Sequence, residues 1–364
     1  MTAPSRGDGP RRAERAAAQF TEAALVAVTP LGRGHINDTF LVATETGRFV
    51  LQRLNRGVFP DPVAIMANVR ILCDHWRGHS RADLLRLPQL IRTLAGEDYH
   101  RDEEEGFWRA LSYLDGSRTL DRLADRPQAE QVGAALGRFH ALVADLDPGH
   151  LYPALPGFHI APQYLAQLDA LLAHRGPVPE SAELRAALEF VEARRPAIEV
   201  LEQAKQQGQL QARVIHGDPK LDNVLFDGAG RRALGMIDLD TVQPGLILYD
   251  LGDCLRSCCN PRGETPADGA VRFDADLCEA ILRGYLAEAR GLLSAADVAY
   301  LYDAIRLLPL ELGLRFLADH LAGDRYFKVS FRGQNLHRAQ VQFQLTFSVE
   351  RQERRLRRLL DGLA

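Results

Sequence analysis

The segment VIHGDPKLDNVLF, residues 214–226, sets the strictest limit on how this chain can fold. Two short apolar runs, Val214–Ile215 and Val224–Phe226, flank a stretch crowded with His216, Asp218, Lys220, Asp222 and Asn223. β-Branched and aromatic runs of this length read as buried strands. A polar loop tied at both ends to buried strands is held rigidly, and so fixes its side chains accurately. Downstream, the run RALGMIDLDTV reads as a further strand and presents Asp238.

The rest of the chain supplies the frame for that loop. Its 364 residues exceed one small core, so two lobes are expected. ALVAV, TFLVAT and RFVLQRL within residues 21–55 read as strands, with a hairpin at Glu45-Thr46-Gly47. Asp61 as a cap, Pro62 at the first position and apolar residues from Val63 to Trp76 predict a helix over 61–76. RLPQLIRT and GFWRALSYLDG read as two more strands. Beyond a hinge at 112–117 the spacing turns helical, over 128–146, 163–206, 274–290, 295–325 and 339–362. The fold class is therefore α+β. Residues 1–18 read as a mobile tail, 19–112 as a small β-rich lobe and 113–364 as a larger helical lobe.

The inventory of polar residues matches phosphoryl transfer. That chemistry asks for a carboxylate at the attacking hydroxyl, an amide and a second carboxylate on Mg²⁺, and a cation near the migrating group. In protein kinases these groups follow the order H-R-D-x-x-x-x-N, then the Asp of D-F-G. Here His216-Gly217-Asp218 and Asn223 keep that spacing, Lys220 lies two residues after the Asp, and Asp238 stands where the metal Asp would. Asp218 is the candidate base, Lys220 the cation, and Asn223 and Asp238 the metal ligands. His216 reads as structural. Asp240 adds a carboxylate on the same side of its strand, and metal, substrate and neither remain open for it. Asp250 and Asp253 read as a helix cap or a brace for the loop.

HGDPKLDNVLF together with MIDLDTVQPGLILYDLGD resembles the aminoglycoside/choline kinase-like family of small-molecule kinases. Within it, the likeness to N-acetylhexosamine 1-kinases runs through GRGHINDTFLV, FVLQRLNRGVFPDP and GLRFLADHLAGDRYFKV, over about residues 31–327. The resemblance implies a bilobal protein-kinase-like fold with the nucleotide on the N-terminal lobe. It also implies ATP, Mg²⁺ and an amino sugar phosphorylated at its anomeric hydroxyl. Another sugar, an amino alcohol or an aminoglycoside are the other acceptors it leaves open. No obligate protein partner is implied.

Further candidates follow from that frame. In LGRGHINDTF, Gly32 and Gly34 permit close backbone approach to phosphate, while His35, Asn37 and Thr39 offer polar groups to phosphate or sugar. The third strand carries Gln52-Arg53 where kinases place a lysine, and the helix after it has no glutamate. The usual lysine–glutamate ion pair is thus absent, and Arg53 is the candidate cation for the nucleotide phosphates. Glu311, Arg315 and Asp319 share one helix face. With Tyr326, Arg315 is the candidate for sugar contact.

Composition narrows the alternatives. A net charge of −4 gives no electrostatic footprint for nucleic acid. There is neither an apolar run of membrane-spanning length nor a secretory leader, so the expectation is a cytoplasmic protein. Five cysteines without a C-x-x-C pair read as reduced, buried thiols. MIDLDTV also fits the D-x-D-x-T of haloacid dehalogenase-type phosphatases. That motif opens its domain, however, and here it would leave Asp218 and Asn223 unexplained. A catalytically silent kinase-like binding protein is the third reading, favoured only by the altered third strand.

Overall fold

The structure is a computed structural model that describes residues 9–32, 36–174, 181–263 and 271–362. Its N-terminal part is a twisted antiparallel sheet. β1 (Leu25–Pro30), β2 (Asp38–Thr44) and β3 (Gly47–Leu54) form from the β-branched runs, with β2 and β3 joined by the two-residue turn Glu45–Thr46. β4 (Leu90–Ile91), β5 (His100–Arg101) and β6 (Phe107–Ser112) complete it, in the order β1-β2-β3-β6-β4, with β5 on β6. The β3–β6 register sets Gln52 opposite Arg109 and Arg53 opposite Trp108.

Residues 1–8 lie outside the described residues, but the expected mobile tail is corrected over Gly9–Ala17, which forms α1. Ala13, Ala16 and Ala17 pack with Phe20 against Val42, Phe49, Leu51 and Trp108. Alanines at this spacing make a narrow apolar stripe that suits close docking on a sheet. Their small apolar area conceals that stripe in the composition. Arg12 secures the helix by gripping both oxygens of Asp102 at 2.5 and 2.7 Å. Asp102 also accepts from Trp108 Nε1 at 2.7 Å and Gly106 N at 2.7 Å.

α2 (Pro62–Gly78) is capped as the sequence predicts, with Asp61 accepting from Val63 N and Ala64 N. Its buried stripe runs through Ile65, Met66, Val69, Leu72 and Cys73, which turns Val63 outward. Asn68, buried on that face, donates to Val242 O at 3.1 Å and so ties α2 to the loop after Asp238.

The rest is mainly helical: α3 (Arg126–Leu142), α4 (Ala161–His174), α5 (Ala182–Glu192), α6 (Arg195–Ile198), α7 (Val200–Gln206), α8 (Ile247–Cys258), α9 (Ala275–Ala289), α10 (Ala295–Leu321), α11 (Gln334–Arg351) and α12 (Glu353–Asp361). The two strands expected there are present with others beside them. β7 (Ser117–Arg118), β9 (Val224–Asp227) and β10 (Ala233–Met236) form one small sheet; β8 (Ala212–Ile215) and β11 (Gln243–Leu246) form another. β11 escapes sequence reading because Pro244 and Gly245 signal a turn. No described helix is long and apolar enough to cross a membrane. The five cysteines are free and buried.

Burial raises the pKa of Asp102, but hydrogen bonds from Arg12 and Trp108 outweigh it and hold the carboxyl well below the ordinary range. Its stabilising contribution is therefore present above the unfolded carboxylate pKa of about 3.9 and is lost as pH falls through the lower folded value. We predict that Asp102→Ala costs about 2–3 kcal/mol in urea unfolding at pH 7, more than Arg12→Ala, because it strands several donors. The gap between wild type and Asp102→Ala should close on acidification.

Candidate active site

The two small sheets bring the conspicuous loops together. β8 delivers His216–Asn223, and β9 leaves from Asn223. β10 pairs with β9, and Ile237 N donates to Asn223 O at 2.9 Å, so the loop bearing Asp238 lies alongside the first. β11 then returns to β8, with Gln243 opposite Ile215.

The first loop is braced from below. Asp250, on α8 and fully buried, accepts from His216 N at 2.7 Å and Gly217 N at 2.8 Å. His140 Nε2 donates to the same carboxylate at 2.9 Å. Gly217 adopts φ +85°, and a Cβ there would meet Thr241 O at 2.5 Å, so glycine is required twice over. His216 donates from Nε2 to Ile237 O at 3.1 Å, and burial lowers its pKa. It is a neutral strut between the loops.

Above this base the reactive groups converge. Lys220 Nζ donates to Asp218 Oδ2 at 2.5 Å, and Asn223 Nδ2 to the same oxygen at 3.1 Å. Desolvation opposes ionisation of Asp218, but the Lys220 ammonium outweighs it and holds the carboxyl below its usual range. Asp218 is thus an acceptor at neutral pH. Asp238 sits in the left-handed region, φ 66° and ψ 60°, an uncommon conformation for a residue with a side chain. It is recessed in the cleft yet open to it. Loss of bulk solvent there, together with the neighbouring Asp240 carboxylate, pushes its pKa up to about 7. Asp240 is buried and holds Arg109 and Asn37 with its two oxygens, so of this pair Asp238 is the carboxylate that the cleft offers a divalent cation. The oxygens of Asn223 and Asp238 are the hard donors that Mg²⁺ takes. Asn223 commits its amide nitrogen to Asp218, which leaves its oxygen for the metal.

A cleft of about 1030 Å³ opens over these residues, between the sheet and the helical part. Gly32, Asn37, Gln52 and Arg109 line its sheet side; Asp218, Lys220, Asn223 and Asp238 line its floor. At its far end Arg315, half-buried on α10, lies 5.1–6.0 Å from the rings of Phe158, Tyr164, Phe327 and Tyr326 and forms no ion pair among the described residues. Beneath it Glu311 binds His159 through Oε1, while its Oε2 is buried without a partner among the described residues.

The model of the APH phosphotransferase enzyme family matches residues 27–291. The chain belongs to this family. A homoserine kinase of Pseudomonas aeruginosa is 31% identical over 270 residues, covering 70% of each chain. That of a second strain is 31% identical over 63% of this chain and 64% of its own length. Among solved structures, an aminoglycoside phosphotransferase from Alicyclobacillus acidocaldarius superposes with a TM-score of 0.66 at 15% identity, over 100% of this chain and 98% of that one. A choline kinase from Cryptosporidium parvum gives 0.59 at 13% identity, over 95% of each. The fold is protein-kinase-like and bilobal, and the protein is a phosphotransferase of hydroxyl acceptors.

The phosphotransferase gathers most of the expected residues at one cleft. Asp218, Lys220, Asn223, Asp238, Gly32, Asn37, Arg315 and Tyr326 all line it. Gly34 and His35 lie outside the described residues. Arg53 is not brought in. Strand alternation turns Gln52 into the cleft and Arg53 to the other face, where it pairs with Asp38 and lies 5.8 Å from the Trp108 ring. Asn37 spends its amide within the protein, donating to Asp240 at 2.8 Å and accepting from Asn55 N at 3.0 Å. Asp319 is no part of the cleft wall. It accepts from the backbone N–H groups of Arg325, Tyr326 and Phe327, stapling the loop that carries Tyr326. His159 and Arg109 escaped sequence reading. Glu311 was visible only as one rung of a charge ladder, and a lone histidine in a Pro- and Gly-rich loop carries no spacing signal.

His159 has an unusual demand. Its Nδ1 lies 2.9 Å from Glu311 Oε1 and its Nε2 2.7 Å from Gly217 O, and both of these atoms only accept. Both nitrogens must therefore carry protons. Burial disfavours the charged ring, but the Glu311 carboxylate outweighs it and raises the pKa. The resulting stability is complete below the unfolded value of about 6.5 and is lost as pH rises through the folded value. We predict that the gap in unfolding free energy between wild type and His159→Gln, read by urea titration, is widest near pH 6 and narrows toward pH 9.

Proposed function

We propose that this phosphotransferase transfers the γ-phosphoryl group of ATP, bound with Mg²⁺, to the anomeric hydroxyl of an N-acetylhexosamine. The uncommitted donors of Arg315 beside the unpartnered Glu311 Oε2 carry the reading. A sugar bearing hydroxyls and an acetamido carbonyl offers both an acceptor for the guanidinium and a donor for the carboxylate. The aromatic rings around Arg315 suit the apolar face of a pyranose. A quaternary ammonium would want that box free of cations, so the arginine argues against choline-like acceptors. The sequence segments GRGHINDT and RFLADHLAGD support the same substrate.

In this reading Asp218, ionised, accepts a hydrogen bond from the attacking hydroxyl and aims it at the γ-phosphorus. A loose transition state needs little proton abstraction early, so alignment is its main contribution. Lys220, anchored on Asp218, places positive charge beside the migrating group. Asn223 and Asp238 hold Mg²⁺, which when bound neutralises charge on the phosphate oxygens. Tyr326 closes the mouth over the sugar.

A second acceptor merits testing because of one observation. A guanidinium without an ion pair also suits the carboxylate of an amino acid, and the homoserine kinases of Pseudomonas aeruginosa are similar in sequence. ADP release, measured with N-acetylglucosamine, N-acetylgalactosamine, homoserine, choline and an aminoglycoside, separates the two. The expected result is a kcat/KM for an N-acetylhexosamine about a hundredfold or more above the rest. Phosphorus–carbon coupling at the anomeric carbon should identify the product. Preference for homoserine would overturn the sugar assignment and leave the phosphotransfer centre standing. Asp218→Ala should lower kcat by about three orders of magnitude while leaving nucleotide affinity near that of wild type.

A further inference from the structure

We propose that Arg109, on β6, supplies the phosphate-binding cation that β3 lacks, with Gln52 and Asp240 as its holders. Three observations meet at this residue. Its register partner on β3 is Gln52, the position where the lysine is missing, and both side chains line the cleft. Its guanidinium is fixed along one edge: Nε and Nη2 donate to Gln52 Oε1 at 3.0 and 2.7 Å, and Nη2 also pairs with Asp240. Its remaining nitrogen, Nη1, is buried without any hydrogen-bond partner among the described residues, on a residue only 1% exposed.

A buried, charged donor left unpaired is costly and rare, and it points to a ligand. The ligand must be an anion that enters the cleft beside Asp238. The α- and β-phosphates of a nucleotide meet that description, because a guanidinium binds phosphate oxygens with directed N–H groups. The protein thereby transposes the whole ion pair of protein kinases. The cation moves from β3 to the neighbouring strand. Its carboxylate moves from the helix after β3 to the loop that carries Asp238. Asn37 completes the unit by donating to the second oxygen of Asp240.

This inference rests on nucleotide use alone, so the identity of the acceptor does not affect its test. Adenosine, AMP, ADP and ATP are titrated by calorimetry, with Mg²⁺ and without acceptor, into wild type, Arg109→Met, Arg109→Lys and Arg109→Met/Gln52→Lys. In Arg109→Met, ADP and ATP should weaken about tenfold or more while adenosine stays within about twofold. Returning a lysine to β3 in the double variant should recover part of the ADP and ATP affinity. Equal binding of all four ligands by Arg109→Met and wild type overturns the proposal. So does a uniform loss that includes adenosine, which would mark a merely structural arginine. If Arg109→Met does not fold, Arg109→Lys decides: it keeps a charge beside Asp240 but cannot span both ends. Selective weakening of ADP and ATP then supports the proposal, and unchanged ATP affinity overturns it.

Discussion

The geometry of the active centre depends on one buried carboxylate. Asp250 takes up the backbone N–H groups of His216 and Gly217 and is itself held by His140. Without it, two donors of the catalytic loop would be unpaired in the interior, and such groups cost about 1–3 kcal/mol each. Burial disfavours its charge, yet the hydrogen bond from His140 and the nearby donors keep its pKa low. The loop can then afford the positive φ of Gly217, and Asp218 emerges facing the cleft rather than solvent.

Charge is arranged around this base so that each ionisable group does a separate job. Asp218 stays ionised because Lys220 leans on it; Asp238 resists ionisation because it is shielded from bulk solvent and Asp240 crowds it. The first is a hydrogen-bond acceptor at neutral pH, and the second would gain most from a nearby divalent cation. His159 joins the acceptor end to this centre, since one ring nitrogen holds Glu311 and the other the Gly217 carbonyl. A change at the Glu311 end of the cleft therefore reaches the loop that carries Asp218.

The spacing of His216, Asp218, Asn223 and Asp238 was legible because local strands fix those residues, and strand periodicity is a short-range signal. So were Asp61 as a helix cap and the β2–β3 hairpin. What could not be read depends on contacts between distant segments. Arg109 meets Asp240 across 131 positions, and His159 meets Glu311 across 152. No spacing rule covers such pairs. Arg53 drew the expectation of a phosphate cation because it lies beside the expected lysine position, yet neighbours on a strand face opposite ways. The helix of Gly9–Ala17 was hidden because its stripe is alanine, too small in apolar area to stand out from a polar tail.

The Arg109–Asp240 pair also bears on where the cleft can open. It joins the sheet to the helical part with both partners only 1% exposed. Parting the lobes there would break this pair, so it holds the root of the cleft together. The outer rim, where Tyr326 is exposed, is a side of the cleft open to solvent. A ligand that enters or leaves at that rim need not break the buried pair.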